Sequence, residues 1–77
     1  MTLEKLQEAY RARPFRPFVL HLADGRHIRI RHPEWMAISQ SGRTIHVEQP
    51  DDSSSTIDLL LVTELEVPAN GRKTRSA

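Results

Sequence analysis

Phe18-Val19-Leu20-His21-Leu22-Ala23-Asp24-Gly25-Arg26-His27-Ile28-Arg29-Ile30-Arg31 is the stretch on which the fold turns. Apolar and polar residues alternate with period two on both sides of Ala23-Asp24-Gly25, the pattern of two half-buried strands. The length of the connection follows from parity. A two-residue Asp24-Gly25 turn would set Leu22 opposite His27 and Leu20 opposite Arg29, and the two apolar sets would face opposite ways. A three-residue loop, with Gly25 in the left-handed region, sets Leu20 opposite Ile28 and Phe18 opposite Ile30. This register gives both strands one oily face and is the one expected. The other face then carries His21 opposite His27 and Val19 opposite Arg29.

Downstream, His32-Pro33-Glu34 breaks the second strand, because proline cannot continue a central ladder. Trp35–Ser39 and Thr44–Glu48 resume the alternation, and a two-residue Ser41-Gly42 turn would pair Ile38 with Ile45 and Met36 with Val47. Gln49–Ser55 reads as a polar, acidic loop. Thr56–Val67 is strongly apolar, but Leu59-Leu60-Leu61 interrupts its alternation. A strand, a sharp bend or single 3₁₀ turn near Leu60–Val62, and a short last strand over Thr63–Val67 are expected, with Pro68 as the stop.

Upstream, Leu3, Leu6 and Tyr10, with Ala9, share one helical face, which predicts a helix over 2–12. Thr2 is placed to cap it, Glu4 suits its first turn, and Pro14 ends it. Arg13-Pro14-Phe15-Arg16-Pro17-Phe18 reads as extended, polyproline-like chain whose two phenylalanines close one end of the core. The expected fold is therefore mainly β with one N-terminal helix. Its body is a small five-stranded, strongly bent antiparallel sheet or barrel, SH3-like or Sm-like. One domain spans 1–68, and 69–77 is a basic tail without an apolar anchor, expected to be disordered.

Composition narrows the function classes. The 77 residues are 38% hydrophobic and 27% charged, as in globular domains. There is no cysteine, which removes disulfide scaffolds and thiolate metal sites. No apolar run reaches the ~18 residues of a membrane span. Glu4, Lys5 and Glu8 leave no signal-peptide core at the N-terminus, so a cytoplasmic protein without membrane contact is expected. Net charge is +1, but it is unevenly placed: 1–31 carry seven bases and three acids, whereas 32–68 carry one base, Arg43, and seven acids. Such a split favours contact between oppositely charged faces, within one chain or between copies.

Ala12-Arg13-Pro14-Phe15-Arg16-Pro17-Phe18, Leu22-Ala23-Asp24-Gly25-Arg26, His32-Pro33-Glu34 and Ile57-Asp58-Leu59-Leu60-Leu61-Val62 together resemble a family of small uncharacterised bacterial proteins, over about residues 2–68. The resemblance implies no activity. A looser likeness is to Sm-like barrels, including the bacterial RNA chaperones, which have an N-terminal helix and a brief turn before the last strand. That likeness implies a small barrel. Asp58-Leu59-Leu60 does not match the residues that line their RNA pores, and the break at His32-Pro33 stands where they bend at glycine.

Chemistry-bearing residues are sparse. His21 and His27 are expected as cross-strand neighbours, but zinc takes three or four protein ligands, and His32 and His46 would have to come alongside. No metal site and no cofactor are assigned. Ser53–Ser55 lack a nucleophile elbow and a positioned base, Asp51-Asp52 reads as a solubilising turn, and the glycines do not form a phosphate loop, so no enzyme is expected. Arg13, Arg16, Arg26, Arg29 and Arg31 would suit phosphate, which makes low-specificity RNA or DNA binding the alternative function. Against it stand the scarcity of free aromatics and a near-neutral charge. The favoured function is a non-catalytic module that binds a protein partner or itself as a homo-oligomer. Leu60, the leucine expected to project from the bend, and Trp35, beside the proline break, are the candidate anchors, with Arg26–Arg31 as a charged flank.

Overall fold

The computed structural model describes residues 1–69. The tail expected over 69–77 lies, apart from Ala69, outside the described residues. The chain forms a helix α1 (Leu3–Tyr10) and six strands. They are β1 (Phe18–Leu22), β2 (His27–Ile30), β3 (Met36–Ile38), β4 (Thr44–Glu48), β5 (Ser54–Asp58) and β6 (Val62–Glu66). Single 3₁₀ turns at Pro33–Trp35 and Leu59–Leu61 separate β2 from β3 and β5 from β6.

The expected single five-stranded sheet or barrel is corrected. There are two three-stranded antiparallel sheets, ordered β2-β1-β6 and β3-β4-β5, and neither closes into a barrel. The physical reason lies at His32-Pro33. Pro33 opens the 3₁₀ turn, so the chain leaves the first sheet there and starts the second at Met36. The last strand then returns to lie against the first, which makes the first sheet discontinuous in sequence.

The hairpin register read from parity holds: Phe18 pairs with Ile30, Leu20 with Ile28 and His21 with His27. Gly25 closes the loop at φ +92°. In the second sheet Met36 pairs with Val47 and Ile38 with Ile45, as expected. Its turn is longer than two residues. The Thr44 N–H donates to the Ser39 hydroxyl (3.1 Å) rather than closing the ladder on the Ser39 carbonyl, and residues 40–43 form the loop. Strand β5 begins at Ser54 rather than Thr56, so two serines assigned to the acidic loop belong to the ladder.

Helix α1 is shorter than 2–12. Thr2 caps it by accepting from the Lys5 N–H, and Leu6 is its one buried residue. The chain bends at 13–14, with a cis Arg13–Pro14 peptide, where an extended run was expected. The core gathers Leu6, Phe18, Leu20, Ile28, Ile30, Met36, Ile45, Val47, Ile57 and Val62 from both sheets and the helix. Two polar contacts tie the helical end to the strands: the Met1 terminal nitrogen to the Val62 carbonyl (3.0 Å) and the Tyr10 hydroxyl to the Met36 carbonyl (3.3 Å).

Gly42 is buried under Leu3 and has φ +77°. A Cβ built there would lie 2.6 Å from a Leu3 methyl, so Leu3 would have to swing off the turn. Gly42→Ala is expected to cost about 1–2 kcal/mol, more than Gly25→Ala, where the added Cβ meets open space. Denaturant midpoints check this, and an equal cost at the two glycines would remove Leu3 from the explanation.

Candidate interaction surface

The turn Leu59–Leu61 is set by its neighbours. Asp58 Oδ1 accepts from the Leu60 N–H (2.9 Å) and caps the turn. The Leu59 N–H donates to the Arg43 carbonyl and the Ala23 N–H to the Leu61 carbonyl, each at 2.8 Å. A 3₁₀ turn spreads three successive side chains about 120° apart, so one of three leucines can face the core. That one is Leu59, which is buried, while Leu60 is 81% and Leu61 49% exposed. Beside Leu61 a hollow of about 230 Å³ is lined by Leu22, Ala23, Asp24 and Arg26. The Arg26 main-chain N–H (3.1 Å) and then its guanidinium (2.9 Å) hold the Asp24 carboxyl below the usual carboxylate range.

Of the residues expected at a binding surface, the structure brings Arg26 to this end of the molecule, beside Leu61. Leu60 projects from the same turn. Arg29 lies on the outward face of β2, and Arg31 follows the strand. Arg13 lines a separate hollow of about 750 Å³ with Tyr10, Arg11, Phe15 and Pro33. Arg16 donates to the Pro68 carbonyl (3.1 Å). Trp35 is half-buried, its ring edge-on to His32 at 5.1 Å between centroids. Leu61 and Ala23 were not singled out from sequence. The threefold spread of a 3₁₀ turn was the signal that a second leucine must project.

The four histidines are dispersed. His21 and His27 face each other across β1 and β2, with ring centroids 6.1 Å apart. His21 Nε2 lies 2.9 Å from Glu66 Oε1. His46 sits on β4 beside Thr56, and His32 against Trp35. Among the described residues no group of three His, Asp or Glu side chains is placed to hold a metal ion. Asp51 accepts from the Ser53 hydroxyl (2.6 Å) and N–H (3.1 Å), which lower its pKa from the ordinary carboxylate value. No helix among the described residues is long and apolar enough to cross a membrane.

The outward face of the first sheet is ordered by charge. In register across it run Arg29, Val19, Glu66 and then His27, His21, Glu64. Basic side chains therefore mark the β2 edge and acidic ones the β6 edge. Val19 is buried between them although it stands outside the main core. No family model matches the chain, and no curated protein or solved structure matches it.

Proposed function

We propose that the chain is a non-catalytic interaction module that engages a protein partner through the Leu60–Leu61 turn. The observation that carries this reading is a leucine exposed to 81% on a turn fixed by three hydrogen bonds. A large apolar side chain held rigidly in water costs solvation free energy that docking recovers, and a fixed turn loses little further entropy on binding. The finer likeness to SH3-like or Sm-like folds belongs to the same proposal; it rests on the 3₁₀ turn before the last strand and on that strand's pairing with the first. Binding of RNA or DNA through the arginines has less support. Arg26 is paired with Asp24, Arg16 with a carbonyl, and Glu66 shares a row with Arg29.

The test places a photo-crosslinking residue at position 60, with position 52 as an exposed control, in extracts of the source cells. A discrete adduct from position 60 is expected, competed by excess unlabelled protein but not by the Leu60→Ser/Leu61→Ser variant. Labelling no stronger than at position 52 would overturn the reading. So would tight, steeply salt-dependent binding of an oligonucleotide pool that survives the double substitution.

A further inference from the structure

Among the described residues neither outer strand of the first sheet has a further strand partner on its far side. The Leu22 N–H donates to the Arg26 carbonyl (2.8 Å), so the main-chain groups of Leu20 and Leu22 face β2. By alternation those of Val19 and His21 face β6 and meet Glu66 and Glu64. The N–H and C=O of Leu65 are then turned away from the sheet. They face a groove of about 660 Å³ between β6 and α1, bordered across from the strand by Lys5, Glu8, Ala9 and Arg16, with the Met1 terminal nitrogen donating to the Val62 carbonyl at the start of the strand. On β2 the same alternation turns the main-chain groups of His27 and Arg29 outward.

An open edge accepts a strand whose side chains match on both faces. A strand added to β6 places its outward residues beside Glu64 and Glu66 and its inward residues beside Leu65, which is only half-buried. The matching pattern is base, apolar, base. A second β6 does not fit, because it would cluster four carboxylates on one face. Strand β2 fits: His27, Arg29 and the following Arg31 alternate with Ile28 and Ile30, and among the described residues no further strand pairs with its far side.

We propose that copies of this chain associate head to tail, the basic β2 edge of one copy pairing with the acidic β6 edge of the next. This goes beyond the leucine-turn reading and rests on a different observation. The contact is heterologous, so it closes into a ring or continues as a filament rather than stopping at a two-fold dimer. A four- or five-residue strand edge is a small interface, so the association is weak and strengthens as salt is lowered.

Light scattering to about 1 mM protein at low and high salt tests this, the range being set by the weak class of contact. The mass is expected to rise with concentration from the 8.8 kDa of one chain to at least twice that value, more so at low salt. Glu64→Lys/Glu66→Lys and Arg29→Glu/Arg31→Glu are each expected to stay at the mass of one chain. Mixed one to one they should associate again, since each then offers what the other lacks. Circular dichroism confirms that both variants are folded. A wild type of single-chain mass at every concentration would overturn the proposal, as would reversals that leave association unchanged or a mixture that fails to restore it. Leu60→Ser/Leu61→Ser should associate like the wild type. Loss of association in that variant would move the self-contact to the leucine turn and overturn edge pairing. Failure of the edge model leaves the crosslinking result at position 60 unaffected, so the two proposals fail separately.

Discussion

Leu6→Ala is expected to lower the unfolding free energy by about 3–5 kcal/mol. Leu6 is completely buried and is the residue by which α1 enters the core. Truncation removes the transfer free energy of the lost methyl groups and leaves a cavity that the two sheets cannot close. The helix has eight residues and no independent stability, so its docking and its existence are one event. A domain of this size has on the order of 0.05–0.15 kcal/mol of stability per residue, which makes the loss a large share of the total. Urea denaturation should show a much lower midpoint, whereas Leu6→Met, which conserves volume, should cost less than about 1.5 kcal/mol. A cost below about 1 kcal/mol for the alanine variant would mean that the strands hold together without the helix.

Phe18→Ala is expected to be as damaging, by about 3–5 kcal/mol, for a different reason. Phe18 is the largest fully buried side chain, opens β1, and sits opposite Ile30. Its ring lies 5.8 Å from that of Phe15, so it joins the 13–17 segment to the sheet. Removing it detaches the link between helix and strands as well as emptying the core. Phe15→Ala, at a half-buried position, should cost distinctly less. Equal losses at the two positions in a denaturant series would show that the aromatic pair, rather than burial of Phe18, carries the effect.

How much of this was legible in the sequence depends on how local each decision is. The β1–β2 register was readable because a one-residue slip would have sent Leu20 and Ile28 to opposite faces. The β3–β4 register was readable for the same reason, but its loop was not, because the Ser39 hydroxyl replaces a main-chain acceptor. The break at His32-Pro33 was visible. Its consequence, two sheets instead of one, depends on β6 returning to β1 across more than forty residues, and no local pattern fixes that. The candidate surface divides the same way. Leu60 followed from three consecutive leucines that cannot all face inward. The acidic flank at Glu64 and Glu66 acquires meaning only after β6 is laid beside β1, so the arginines of β2 read from sequence as a free basic face.

The two sheets differ in how the chain supplies them. One uses a single uninterrupted run, Met36 to Asp58, whereas the other takes Phe18–Ile30 and then waits for Val62–Glu66. The middle meander has all its strand partners within one continuous stretch of chain. The earlier hairpin has a β1 flank that is filled only by a strand more than thirty residues further along the chain. The β1 flank is therefore the last part of the strand framework to be satisfied, and any chain lacking Val62–Glu66 would leave it bare while the middle meander has all its strands.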